Sequence, residues 1–186
     1  MTRSTQSSTI LANRNFLELA RFECQRLRRQ AENAVAQVKD DASLNAKLDP
    51  ESNSIAILVQ HIAGNLTSRW TDFLTSDGEK PLRNRDTEFY DPSYATREEL
   101  FEPWHLGFER MSTTLEELTP EQLTGTIQIR GEAFSVMEAI TRSLLHISAH
   151  VGQIVLLSKH AAGSNWKTLS IARGESDSAR GGYKSR

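Results

Sequence analysis

One cysteine, five prolines and three tryptophans in 186 residues remove several ways of building or using a protein. The lone Cys24 has no intramolecular disulfide partner and sits among helix formers, so nothing in the chain asks for an oxidising compartment. No eighteen apolar residues run together, and Met1–Ser8 is polar where a signal peptide would carry an apolar stretch. Neither a membrane span nor export is expected, and the cytoplasm is the expected location. An excess of one charge is missing too. The 22 Lys+Arg and 24 Asp+Glu leave a net charge of -2, which gives no electrostatic footprint for nucleic acid or a membrane surface. Arg26, Arg28 and Arg29 cluster within a helical pattern and read as a solvated face. Gly-rich phosphate loops, a serine-nucleophile elbow and paired cysteines are also lacking.

What the chain does have is helical periodicity. Leu11, Phe16, Leu19, Phe22, Leu27, Val35 and Val38 mix three- and four-residue spacings, the mark of an amphipathic helix over about 9–39. Ser52 or Ser54 can cap a second helix running to about Leu74. A polar stretch from Thr75 to Ser93 is too long for an ordinary connection between helices. Thr96 with Glu99 opens a third helix over 97–117, with Pro103 early in it, and Thr119-Pro120-Glu121 starts a short helical segment. Thr126–Phe134 alternates around Arg130-Gly131 as a short hairpin. Ser135 with Glu138 caps a long last helix that ends at Gly163. This predicts an all-α fold in a single domain over residues 1–175, with 176–186 as a flexible tail.

His146 and His150 lie one turn apart in the last helix, roughly 40° around its axis, among Ala139, Ile140, Ile147, Ile154 and Leu157, so both rings face inward. Buried imidazoles need partners, which backbone carbonyls, water or a metal can supply. Spacing alone is a weak signal, but the second helix adds His61, with Asn65, Ser68 and Asp72 on the same strip. That strip is either a solvent-facing stripe or a ligand followed by groups lining a cavity. Three neutral imidazoles suit a divalent transition metal, zinc and nickel first, and leave coordination positions open. Arg83, Arg85, Lys80 and Arg130 can hold anionic groups, Glu132 or Asp72 can serve as a base, and Gln153 and Trp166 complete the candidate surroundings. His105 and His160 read as structural or surface groups.

The segments NSIAILVQHIAGNLTSRWTDFLTSDGEKPLRNRDTEF, IRGEAFSVMEAITRSLLHISAHVGQIVLLSK and WKTLSIARGES together resemble a branch of the DinB-like superfamily. The tail departs from the family pattern by placing Ala172 and Arg173 where a proline and a lysine are expected. The resemblance implies an antiparallel four-helix bundle with a long crossover loop, one metal held by His61, His146 and His150, and a homodimer. It also implies relatives that transfer low-molecular-weight thiols to small-molecule substrates. The expected function is therefore a metal-dependent thiol S-transferase. A metal-dependent hydrolase and a non-catalytic metal- or small-ligand-binding stress protein are the alternatives. Trp70 projects roughly 180° from His61 and is expected on the outer face of its helix. Asp77–Phe89 and Trp166–Ser170, anchored by Leu82, Phe89 and Trp166, are expected to close over the metal as a lid.

Overall fold

Ser54 starts the most deeply buried helix by accepting the backbone N–H of Ile57. In the computed structural model, which describes residues 3–94 and 96–177, that helix is α3 (Ile55–Trp70), preceded by α1 (Arg3–Val35) and the single turn α2 (Ala42–Asn45). A short 3-10 helix (Asp86–Phe89) lies in the long connection to α4 (Arg97–Glu117). The hairpin β1 (Thr126–Ile129) and β2 (Glu132–Ser135) then leads into α5 (Val136–Ala162). The protein is mostly helical with one small sheet. The flexible tail expected at 176–186 falls mainly on 178–186, outside the described residues.

The caps act where the residue types place them. Thr96 accepts from the N–H of Glu99, Ser135 and Glu138 form a reciprocal box, and Gly163 closes α5 at a positive φ of 55°. The hairpin turns at Arg130 and Gly131, both at positive φ, and pairs Ile129 with Glu132.

Contacts along the helices fix their directions. Arg21 meets the end of α4 at Leu115, Gln25 meets Ser112, and Trp104 donates to Glu32, so α1 and α4 run oppositely. His61 meets His146 while Trp70 meets Ser143, so α3 and α5 are also opposed. By contrast, Leu66 approaches Gly107 and Thr71 meets Arg110, so α3 and α4 are parallel. Two neighbouring pairs therefore meet the antiparallel expectation. The crossover after Trp70 is what lets the next long helix run the same way.

Trp104, Phe108, Met111, Leu58, Ile62 and Leu66 are almost completely buried at the α3–α4 interface and form the centre of the core. Val136–Asn165 is the one segment among the described residues long and apolar enough to cross a membrane. It packs on α1 and α3 and carries His146 and His150.

The crossover is strapped down along its length. Ser68 Oγ donates to Gly78 O and accepts from Lys80 N. Asp77 accepts from the N–H groups of Arg130 and Gly131 at the hairpin turn, and Gly78 N donates to Gln128 O. Further along, Gln60 Nε2 donates to the carbonyls of Glu88 and Tyr90.

Candidate metal centre

Because α3 and α5 run oppositely, one turn of each can face the other, and His61 meets both His146 and His150. The Nε2 atoms of His61 and His146 are 3.1 Å apart, and those of His146 and His150 are 3.2 Å apart. His61 is buried, and the two α5 histidines are half-buried. An ion with imidazole bonds of about 2.0–2.1 Å separates its nitrogens by about 2.8–3.4 Å for angles between a right angle and the tetrahedral one. The observed spacings lie in that range.

The far side of each ring decides what these nitrogens can do. His61 Nδ1 is 2.8 Å from Glu88 Oε2, and His150 Nδ1 is 2.9 Å from Gln153 Oε1. Both partners are acceptors, so both Nδ1 atoms carry the proton and both Nε2 atoms turn a lone pair toward His146. A proton on His146 Nε2 can serve only one of them, and His146 Nδ1 is buried without a partner among the described residues. Three convergent nitrogens with too few protons fit a cation. Burial pushes His146 down to about 4, helped by His150 and His61, and burial also lowers His150 against the opposing bond from Gln153. Neutral rings are the form that ligates metal.

Glu88 holds His61 and is itself held. Arg83 Nε donates to Glu88 Oε1 at 2.7 Å and Arg83 Nη2 to Oε2 at 2.8 Å, a two-pronged pair. Burial would raise the Glu88 carboxyl, but the bonds from Arg83 and His61 outweigh it and keep it below the ordinary range. Burial acts against the Arg83 charge, and Glu88 and Glu79 reverse that, so its pKa rises. The carboxylate reaches His61 because α3 has glycine at 64. A Cβ there would lie 2.7 Å from Glu88 Cδ and overlap the carboxylate. Phe89 covers His61, with ring centroids 4.5 Å apart.

Beside His61 and His146 opens a cavity of about 350 Å³ that runs along the α3–α5 groove toward the hairpin. Its apolar wall is Trp70, Phe73, Ile127, Ile129 and Ala139. Five arginines (69, 83, 85, 130 and 142) also line it, and among the described residues no carboxylate does.

Of the candidates named from sequence, Asn65, Arg83, Arg85 and Arg130 line this cavity, and Gln153 bonds to His150. Asp72 and Glu132 do not line it. The helix ends at Trp70, Asp72 takes a positive φ of 49°, and its side chain joins a separate depression with Thr114 and Glu117, so the helical projection does not reach it. Glu132 is exposed on β2. Trp166 also lies elsewhere, since the following Lys167 backbone is held by Gln37 at the end of α1. The crossover half of the expected lid reaches the histidines through Glu88 and Phe89. The Trp166–Ser170 half does not line the cavity, and Leu82, expected to pack, is 99% exposed.

Trp70 is inside rather than outside. It is buried, donates from Nε1 to Ser143 Oγ and stacks on Phe73 at 4.6 Å, because α3 is covered on nearly every side. Lys80 turns to the Asp77 carbonyl, His105 lies 3.4 Å from Glu32, and His160 is exposed. Cys24 is buried beside Ser112 and does not line the cavity. Sequence reasoning missed Arg69 and Arg142, and reached Glu88 only as a polar residue of the expected lid, not as the partner of His61. The available signal for Glu88 was a glycine three residues after His61 in an otherwise well-formed helix.

A helical protein with a three-histidine cluster between antiparallel helices is the class that fold and site define. The chain belongs to the family described as "Protein of unknown function (DUF1572)", whose model matches residues 12–175. No curated protein matches the chain.

Proposed function

We propose that this chain is a DinB-like four-helix-bundle protein in which His61, His146 and His150 hold one divalent transition metal, zinc or nickel. We further propose that it transfers a low-molecular-weight thiol to an electrophilic small molecule. The observation that carries the metal reading is the set of three Nε2 atoms at one point, two with acceptors behind them. A bound divalent ion supplies Lewis acidity, which favours the thiolate of a ligand near neutral pH. The protein groups do the rest. Glu88 fixes the His61 ring, Arg83 fixes Glu88, and Trp70, Phe73 and Ile127 give the adjoining cavity an apolar wall. In the transfer, the thiol sulfur bonds to the electrophilic carbon, the leaving group departs with the electron pair of the bond that breaks, and the thiol proton passes to solvent.

A hydrolytic reaction would need a free carboxylate beside the ion. Both Glu88 oxygens are already engaged, and Asp72 and Glu132 lie elsewhere, which favours thiol transfer over hydrolysis. The cavity favours a small-molecule reaction over simple metal storage. We also propose a homodimer in the cytoplasm. In its support, Leu11, Leu19, Leu145 and Leu156 stand more than half exposed on the neighbouring helices α1 and α5. Elemental analysis of the native protein, joined to a thiol-consumption screen with several cellular thiols and model electrophiles, tests the reading. About one ion per chain with histidine-dependent consumption is expected. Metal with no turnover of any thiol would reject the transferase and leave a binding protein.

A further inference from the structure

The cavity beside the histidines carries more positive charge than the chain neutralises. Arg83 is committed to Glu88. Glu79 Oε2 is shared among Arg69 at 3.1 Å, Arg130 at 3.1 Å and Arg83 at 3.3 Å, so one carboxylate serves three guanidiniums. Asp86 stands 3.7 Å from Arg85, which also lies over the Phe89 ring. Five guanidiniums less these three carboxylates leave two positive charges in one cavity.

The surplus is not spread evenly. Arg69 Nη1 is buried with no hydrogen-bond partner among the described residues, on a side chain only 14% exposed. Arg142 has a ring contact to Phe134 but no carboxylate partner among the described residues. Burial lowers the Arg69 pKa, and the charges of Arg83, Arg130 and Arg142 lower it further against the pull of Glu79. A desolvated guanidinium repelled by its neighbours is costly unless an anion joins it.

We infer that Arg69 and Arg142 form an anion subsite in the cavity, on the hairpin side of the histidines, and that it binds the carboxylate of an amphipathic small molecule. The apolar part of that molecule lies against Trp70, Phe73 and Ile127. Guanidinium forks suit a planar carboxylate, and the apolar wall beside them, on the side toward the hairpin, selects a body with little polarity of its own. Arg142 is one turn before His146, and Arg69 is eight residues beyond His61. The carboxylate therefore lies about 6–12 Å along the helices from the histidines. This subsite rests on the transfer reading only for what the ligand undergoes, because binding itself needs no reaction.

Two probes of nearly the same shape but different charge, 3-phenylpropanoate and 3-phenylpropanamide, test it by calorimetric titration of the full chain, with tryptophan fluorescence as a second readout. The acid should bind at least tenfold more tightly than the amide, and added salt should erode the difference. Arg142→Gln, an exposed position that should leave circular dichroism unchanged, should weaken the acid about tenfold and leave the amide unaffected. His150→Gln, which removes a proposed metal ligand that does not line the cavity, should leave the acid bound more tightly than the amide, which separates this subsite from the metal reading. Equal binding of acid and amide, indifference to Arg142→Gln, or loss of the preference for the acid in His150→Gln would each overturn the inference.

Competition by 3-mercaptopropanoate and 2-mercaptoethanol identifies the source of the carboxylate. Displacement of the probe by the acidic thiol alone supports the subsite and assigns it to the thiol. Binding of both thiols alongside the probe supports it and assigns it to the electrophile. Equal displacement by the two would show that charge is not read, and would reject it.

Discussion

An alanine at position 64 should weaken metal binding although it touches none of the three histidines. In an ordinary helix interior, Gly→Ala stabilises by about 0.8–1 kcal/mol through helix propensity and reduced freedom of the unfolded chain. At Gly64 the new Cβ would stand 2.7 Å from Glu88 Cδ and 3.2 Å from Cγ. A long side chain usually swings aside at little cost, but this one is clamped by Arg83 at 2.7 and 2.8 Å and by His61 at 2.8 Å. Restoring ordinary contact requires the carboxylate to move by roughly 0.7 Å, which stretches those bonds to about 3.5 Å, the edge of hydrogen bonding.

The bonds at risk are charge-assisted and largely buried, each worth about 1.5–3 kcal/mol, so losing even one outweighs the propensity gain. The variant without metal should be destabilised by about 1–2 kcal/mol, or roughly 2–8 °C in Tm for a chain of this size. Metal affinity should fall about 10–100-fold because His61 loses its orienting carboxylate. Competition against a calibrated chelator, with melting of chelator-treated protein in parallel, measures both. Should the variant bind metal like the parent and melt higher by the amount of an ordinary Gly→Ala, the support that Glu88 gives to His61 has no energetic meaning.

The other predictions separate the centre from its surroundings. His61→Ala, His146→Ala and His150→Ala should each lose most bound metal, by elemental analysis, while far-UV circular dichroism stays helical, and full occupancy in His61→Ala would leave only an α5 pair. Arg83→Gln should lower metal affinity as well as ligand affinity because it frees Glu88, whereas exposed Arg85→Gln should spare metal content. Equal metal affinities for the two would break the proposed chain from Arg83 through Glu88 to His61. Burial pushes the Cys24 thiol up to about 11, against the bond to Ser112, so the neutral form persists well above neutrality. An aromatic disulfide reagent at pH 8 should react only after denaturation, and release within the mixing time would contradict the burial. Light scattering should report a dimer that Leu145→Glu with Leu156→Glu converts to monomer, and a parent that is monomeric at all micromolar concentrations rejects the assembly.

The helices were legible because their signals are local. Thr96 and Glu99, Ser135 and Glu138, and Gly163 mark ends within a few residues, and the inward face of α5 follows from its period. The histidine pair was legible for the same reason. What failed was extrapolation past a local break and across a fully covered helix. Extending α3 to Leu74 carried Asp72 onto the histidine strip, whereas the chain leaves the helix after Trp70. A projection can assign inner and outer faces only when one face meets solvent. In α3 the buried residues include Ile57, Ile62, Leu66 and Trp70, so Trp70 points inward as well.

Glu88 could not be chosen from sequence because Asp77, Glu79, Asp86 and Glu88 share one loop, and only the tertiary path decides which of them meets His61. That path is set at both ends by groups unrelated to the histidines: Asp77 on the hairpin turn and Gln60 on the carbonyls of Glu88 and Tyr90. Between those anchors the loop has the span to put Glu88 behind His61, Phe89 over its ring and Arg83 behind Glu88. Two parallel helices in succession demand a long return, and that return carries the carboxylate that His61 needs. The connection that reads from sequence as a departure from helical order is therefore the part of the chain that orients the site.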